Sequence, residues 1–134
     1  MQGKNKKNKV EDLEGRATVV VTGANSGLGY ECAKALMRGE WGGKDAPRWH
    51  VIMACRDQAR GEEAIAKIQK EEKRLKGTAE YMHCELGSLQ AVREFSASLV
   101  EALKAGRIPP LKALVFNAGL QFVNGFSYTK DGYV

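Results

Sequence analysis

The hydrophobic and polar positions of this chain change period several times, and each change marks a predicted element. Ala17–Thr22 is apolar, β-branched and uninterrupted, which predicts a strand buried on both faces. Ser26 to about Arg38 follows with Leu28, Cys32, Ala35 and Leu36 at helical spacing. His50–Cys55 predicts a second strand, and Gln58–Lys76 a second helix whose apolar stripe is Ala64, Ile65, Ile68 and Leu75 among many charges. Thr78–Glu85 predicts a third strand. A third helix is predicted from Ser88, a candidate N-cap, with Leu89, Val92, Phe95, Leu99 and Leu103 along one face. Gly106-Arg107-Ile108-Pro109-Pro110 breaks that period, and Ala113–Asn117 predicts a fourth strand. The order β-α-β-α-β-α-β predicts an α/β fold: a doubly wound parallel sheet of the Rossmann type with helices on both faces. Gly39–Trp49 is predicted to be an irregular surface insertion, long for a helix-to-strand connection.

Composition narrows the class without changing that picture. At 134 residues, 43% hydrophobic and 28% charged, the chain suits one globular domain. No apolar run approaches bilayer length, and Met1–Asp12 lacks the hydrophobic stretch of a secretory signal. Lys4, Lys6, Lys7 and Lys9 carry most of the formal charge of +5. With no aromatic residues between them they predict a disordered basic tail over 1–14, and no nucleic-acid partner. Cys32, Cys55 and Cys84 are scattered and odd in number, with no Cys-x-x-Cys pair. That argues against a disulfide framework or a metal site and predicts small buried thiols in a reducing compartment such as the cytoplasm.

The chemistry is concentrated where the first strand runs into its helix. Gly23, Gly27 and Gly29 follow the strand end at Thr22, which places them at the carboxyl edge of the sheet, where ligands of open α/β folds bind. The first glycine lets the chain turn sharply, and the others are expected to let backbone approach a pyrophosphate. The helix beginning there offers free N–H groups and a positive dipole end. The spacing is Gly-x-x-x-Gly-x-Gly, not Gly-x-Gly-x-x-Gly, and no Gly-Lys-Ser/Thr of a triphosphatase loop follows. The second strand ends Cys55-Arg56-Asp57. An acidic residue at this place favours the ribose hydroxyls of NAD, whereas arginine suits a 2′-phosphate. Asp57, one position later, is expected to cap the next helix, so Arg56 predicts NADP (NADPH).

Thr22-Gly23-Ala24-Asn25-Ser26-Gly27-Leu28-Gly29, followed by Asn117-Ala118-Gly119, resembles the classical short-chain dehydrogenase/reductase pattern, and the likeness covers Ala17 to Val134. Within that family, Trp49 through Asp57 is similar to the light-dependent protochlorophyllide reductases. Thr129-Lys130-Asp131-Gly132-Tyr133 is also shared with their retinol-dehydrogenase-like relatives. The resemblance implies that Gly23, Asn25, Ser26, Gly27, Leu28 and Gly29 surround the pyrophosphate and that Arg56 binds the 2′-phosphate. It implies that Glu85 and Leu86 flank the adenine, where the family usually has Asp in place of Glu85. Asn117, Ala118 and Gly119 would steady the fourth strand and border the nicotinamide ribose.

The family's hydride transfer uses a tyrosine whose pKa is lowered by a lysine four residues later, together with a serine. An unperturbed phenol near pKa 10 exchanges protons poorly at neutral pH. The spacing occurs once, at Tyr30–Lys34 on the first helix, and is read as ordinary helix surface, so no catalytic residue is assigned. The expectation is an NADP-binding domain over 15–134, the N-terminal part of a longer reductase acting on a small-molecule carbonyl or alcohol and inactive alone. The resemblance admits a homo-oligomer at full length, and a plastid location if the parent is of the protochlorophyllide type. One rival is a non-catalytic NADP-binding module. Another is a nucleotide-sugar epimerase-like or methyltransferase site, the latter disfavoured by arginine at position 56.

Overall fold

The computed structural model describes residues 13–120 and 123–133. The basic tail expected over 1–14 therefore lies outside the described residues up to position 12. Four strands alternate with three helices: β1 (Arg16–Thr22), α1 (Gly27–Arg38), β2 (Arg48–Cys55), α2 (Gln58–Glu71), β3 (Thr78–His83), α3 (Leu89–Lys104) and β4 (Leu111–Val115). The strands pair in parallel in the order β3-β2-β1-β4. After β3 the chain crosses back over the sheet, so the order reverses between β1 and β4. Such a reversal opens a crevice beyond the carboxyl ends of the strands.

The period-2 alternation of the buried strands sorts their side chains to two cores. Val19, Val21, Val51 and Met53 pack with Tyr30, Ala33, Leu36 and Met37 of α1 and with Ala64 and Ile68 of α2. Val20, Ile52 and Ala54 pack on the other face with Leu99 and Ala102 of α3 and with Ile108. β1 and β2 are central and covered on both sides, as their unbroken apolar runs predict. β4 is an edge strand, and Leu114 within it is half exposed.

Several boundaries differ from the expected ones for identifiable reasons. The second helix ends at Glu71, not Lys76: the backbone of Glu72 turns extended, and the N–H groups of Lys76 and Gly77 both donate to Met37 O at the end of α1. Leu75 reaches the core from outside the helix, so its place in the apolar stripe is satisfied without helical backbone. β3 stops at His83 because its partner β2 stops at Cys55. β4 begins and ends two residues earlier than expected, since Thr18 takes its N–H bond to Pro110 O and its hydroxyl bond to Pro109 O. The Gly39–Trp49 stretch is shorter than expected, because β2 starts at Arg48, and it contains a 3₁₀ turn at Gly43–Asp45.

Candidate functional site

The expected site residues come together along one edge of the sheet, each at the carboxyl end of a strand. Glu85 and Leu86 follow β3, Arg56 follows β2, the glycine turn follows β1, and Asn117, Ala118 and Gly119 follow β4. The ends of β1 and β4 are tied by Thr22, whose importance its apolar neighbours in the sequence conceal. Its hydroxyl donates to Val115 O (3.4 Å) and accepts from the backbone N–H groups of Asn117 (3.1 Å) and Ala118 (3.0 Å). The Asn117 amide donates back to Thr22 O (3.1 Å) and Gly23 O (3.4 Å). The two motifs, more than ninety residues apart, are thus one hydrogen-bonded unit.

The glycines serve different needs. Gly23 (φ +64°) and Gly27 (φ +57°) lie in the left-handed region that other residues enter at a cost. Gly29 has no positive φ, yet a Cβ there would sit 2.3 Å from Gly23 O and 2.5 Å from Asn117 Nδ2. Its bare Cα lets α1 press against the strand ends, a packing need within the protein where pyrophosphate approach was expected.

Helix α1 starts differently from its neighbours. Asp57 Oδ1 caps α2 by accepting from Arg60 N (3.0 Å), as expected for Asp57, and Ser88 Oγ caps α3 by accepting from Ala91 N (3.3 Å). Ser26, in the same place on α1, is extended, and its side chain makes no capping bond. Leu28, in the first turn of α1, is 82% exposed. A helix end with its dipole and N–H groups left to an outside acceptor fits an anion.

Beside it, the Arg56 side chain is 77% exposed, and its Nε lies 3.6 Å from Glu85 Oε2. Its peptide oxygen accepts from Tyr81 Oη (3.4 Å) and from His83 Nδ1 (3.0 Å), which fixes the strand end that carries the guanidinium. An open cleft of about 800 Å³ runs from Asn25–Leu28 to α2, where Arg60 and Lys67 line it. Arg60 was not singled out from the sequence. The signal was available, because a residue three places past the cap Asp57 sits in the first turn of α2.

Tyr30 and Lys34 are not the surface pair expected. Tyr30 is packed in the first core, its Oη donating to Glu71 Oε2 (3.3 Å), and Lys34 Nζ donates to the same oxygen (2.8 Å). Burial first, and Glu71 second, push the phenol above 10. That is opposite to the shift a proton-exchanging tyrosine needs. Tyr81 is raised as well, mainly by burial. Cys55 and Cys84 are buried and Cys32 half-buried, all free thiols, with burial pushing Cys55 to about 11.

The family model described as short chain dehydrogenase matches residues 17–132. The chain is 41% identical over 128 residues to the human (Homo sapiens) WW domain-containing oxidoreductase, covering 92% of this chain and 27% of that protein. It is 38% identical over 122 residues to the chloroplastic protochlorophyllide reductase of Daucus carota, covering 88% of this chain and 26% of the relative. The chain thus spans about a quarter of the length of these relatives. Among solved structures, a metagenomic short-chain oxidoreductase in complex with NADP superposes with a TM-score of 0.57 at 27% identity, covering 84% of this chain and 43% of that one. With a parallel Rossmann-type sheet, a glycine turn bonded to Asn117 and a family match over 116 consecutive positions, this chain belongs to the short-chain dehydrogenase family of oxidoreductases.

Proposed function

We propose that this chain is the NADP(H)-binding part of a short-chain reductase whose full-length form moves hydride between the nicotinamide and a carbonyl or alcohol. The observation that carries the reading is the uncapped start of α1 at the central strand end, with an exposed arginine just past the end of the neighbouring strand. The cofactor, when bound, supplies or accepts the hydride. The chain's residues bind and orient it. Backbone N–H groups at Ser26–Leu28, with Gly23, Asn25 and Gly29 shaping the turn, suit the pyrophosphate. Arg56 offers a planar fork to the 2′-phosphate, and Arg60 across the cleft adds a second cation. Glu85 and Leu86 border the adenine, and Asn117, Ala118 and Gly119 border the nicotinamide ribose. The raised phenols of Tyr30 and Tyr81 support the reading that this segment alone turns over no substrate.

A calorimetric titration of the full 134-residue chain with NADPH and with NADH tests this. NADPH should bind at least about tenfold more tightly, the worth of one charge-assisted phosphate contact. Equal affinities, or no binding of either, would contradict it. A second reading, reduction of a chlorophyll-precursor double bond with light, is favoured by the 38% identity to the Daucus carota protein. A pigment-dependent photochemical signal in the full-length protein separates it from carbonyl reduction. A reducing compartment, cytoplasm or plastid, goes with the first or second reading in turn.

A further inference from the structure

The segment Thr129–Tyr133 lies beyond all four strands, and nothing in the proposed chemistry uses it. It folds as a tight turn: Gly132 N donates to Thr129 O (3.0 Å), and Tyr133 N donates to Thr129 Oγ1 (3.0 Å). The turn presents two groups to the β3–α3 connection. Asp131 Oδ2 accepts from Leu89 N (2.7 Å), the first residue of α3, and Lys130 N donates to Gly87 O (2.9 Å). Ser88 already caps α3 through Ala91 N, so the helix start receives two carboxylate or hydroxyl acceptors from different parts of the chain. Gly87, gripped from one side by Lys130, grips Glu85 from the other: Gly87 N donates to Glu85 Oε1 (2.8 Å). The other oxygen of Glu85 faces Arg56 Nε at 3.6 Å.

We propose that Asp131 is a positioning residue for the adenosine end of the cofactor site, acting through Leu89 and the β3–α3 connection that carries Gly87 and Glu85 on the orientation of Arg56. The proposal rests on the NADP(H) reading of that edge. Glu85 stands 3.6 Å from the Nε side of the guanidinium, which leaves the two terminal nitrogens to a phosphate. A bidentate fork is effective only when it is pre-oriented. Without the Asp131 bond the β3–α3 connection loses one of its two tethers to the turn. The effect falls on the phosphate contact more than on the rest of the dinucleotide.

The full chain, Asp131→Ala and Asp131→Asn are titrated with NADPH and NADH, and exchange of the Leu89 amide is followed without cofactor. Asp131→Ala should weaken NADPH binding by about fivefold, the usual worth of a lost helix-start acceptor, and NADH binding by less than twofold. Asp131→Asn keeps an acceptor oxygen and should stay within about twofold of the parent for both. Leu89 exchange should quicken only in the alanine variant. Equal losses for both cofactors would mark simple destabilisation and overturn the proposal, as would unchanged NADPH affinity or an asparagine variant that behaves like alanine. If the unaltered chain binds neither cofactor, the NADP(H) reading fails and takes the positioning role with it. Leu89 exchange then reports the turn's grip on α3 by itself.

Discussion

Gly29 contributes by what it lacks. Replacing its hydrogen with a methyl would force Gly23 O and Asn117 Nδ2 apart, and both are fixed in the β1–β4 junction. Gly29→Ala is therefore expected to lose about 3 kcal/mol of stability, at the upper end of overpacking costs, read from the midpoint of urea unfolding. Arg56 is the opposite case, an exposed side chain whose removal should leave folding untouched. Arg56→Ala should weaken NADPH binding about tenfold or more while leaving NADH affinity unchanged, in a parallel fluorescence titration. Both residues stood out in the sequence, but the structure gives Gly29 a packing reason where a phosphate reason was expected. The role proposed for the arginine follows from its charge and its place just past β2, whereas Asn117, far along the chain, helps decide what Gly29 is for. Thr22 was illegible for the same cause: its hydroxyl partners come from the end of β4 and just past it.

At the level of elements, caps and periods were readable where they are local. Asp57 and Ser88 cap α2 and α3 from positions the sequence marks. Asp57→Ala should cost about 1 kcal/mol in the same urea experiment. The end of α2 was not readable, because Leu75 keeps a helical place in the pattern while Met37 O captures the backbone beyond it. The packing of α1 on α2 was hidden too, since Tyr30, Lys34 and Arg38 find Glu71 and Glu72 only in three dimensions. Those pairs hold both carboxyls below their ordinary 4.5. Their stabilisation is present above pH 4.5 and is lost as pH falls through the lowered values.

His50 sets a second window at the other edge of the sheet. Its Nδ1 is hydrogen-bonded with the Thr78 hydroxyl (2.7 Å), and Nε2 is buried without a hydrogen-bond partner, Glu80 Oε1 standing 3.7 Å away. Burial pushes its pKa below 6.5, with Glu80 opposing and Arg16 assisting. The unfolded chain then binds more protons than the folded one just below pH 6.5, so stability should fall as pH drops from 6.5 towards the lowered value. His50→Gln should flatten that portion of a stability–pH profile, and an unchanged slope would count against the buried neutral imidazole.

For the molecule as a whole, the parallel sheet and the gathering of the glycine turn with the other strand ends along one edge were legible because long apolar strands and a glycine turn are local signals. What completes the surface was not. β4 is an edge strand, and Phe116 (84% exposed), Leu120, Val123 and Phe126, which follow it in the chain, stand in solvent. Apolar surface of this kind on an open edge promotes association. Light scattering of the isolated chain should rise steeply with concentration, and a strictly monomeric profile would contradict the exposed edge. Among the described residues no helix is long and apolar enough to cross a membrane.

The central claim is that the carboxyl edge of this sheet is one cofactor surface drawn from all four strand ends. Amide chemical-shift mapping of the full chain during an NADPH titration tests it most directly. Signals of Gly23, Ser26–Gly29, Arg56, Leu86, Ala118 and Gly119 should move together and saturate at one affinity, while those at the opposite edge, such as His50 and Thr78, stay in place. Saturating shifts scattered away from that edge, or no saturable shift at all, would contradict it.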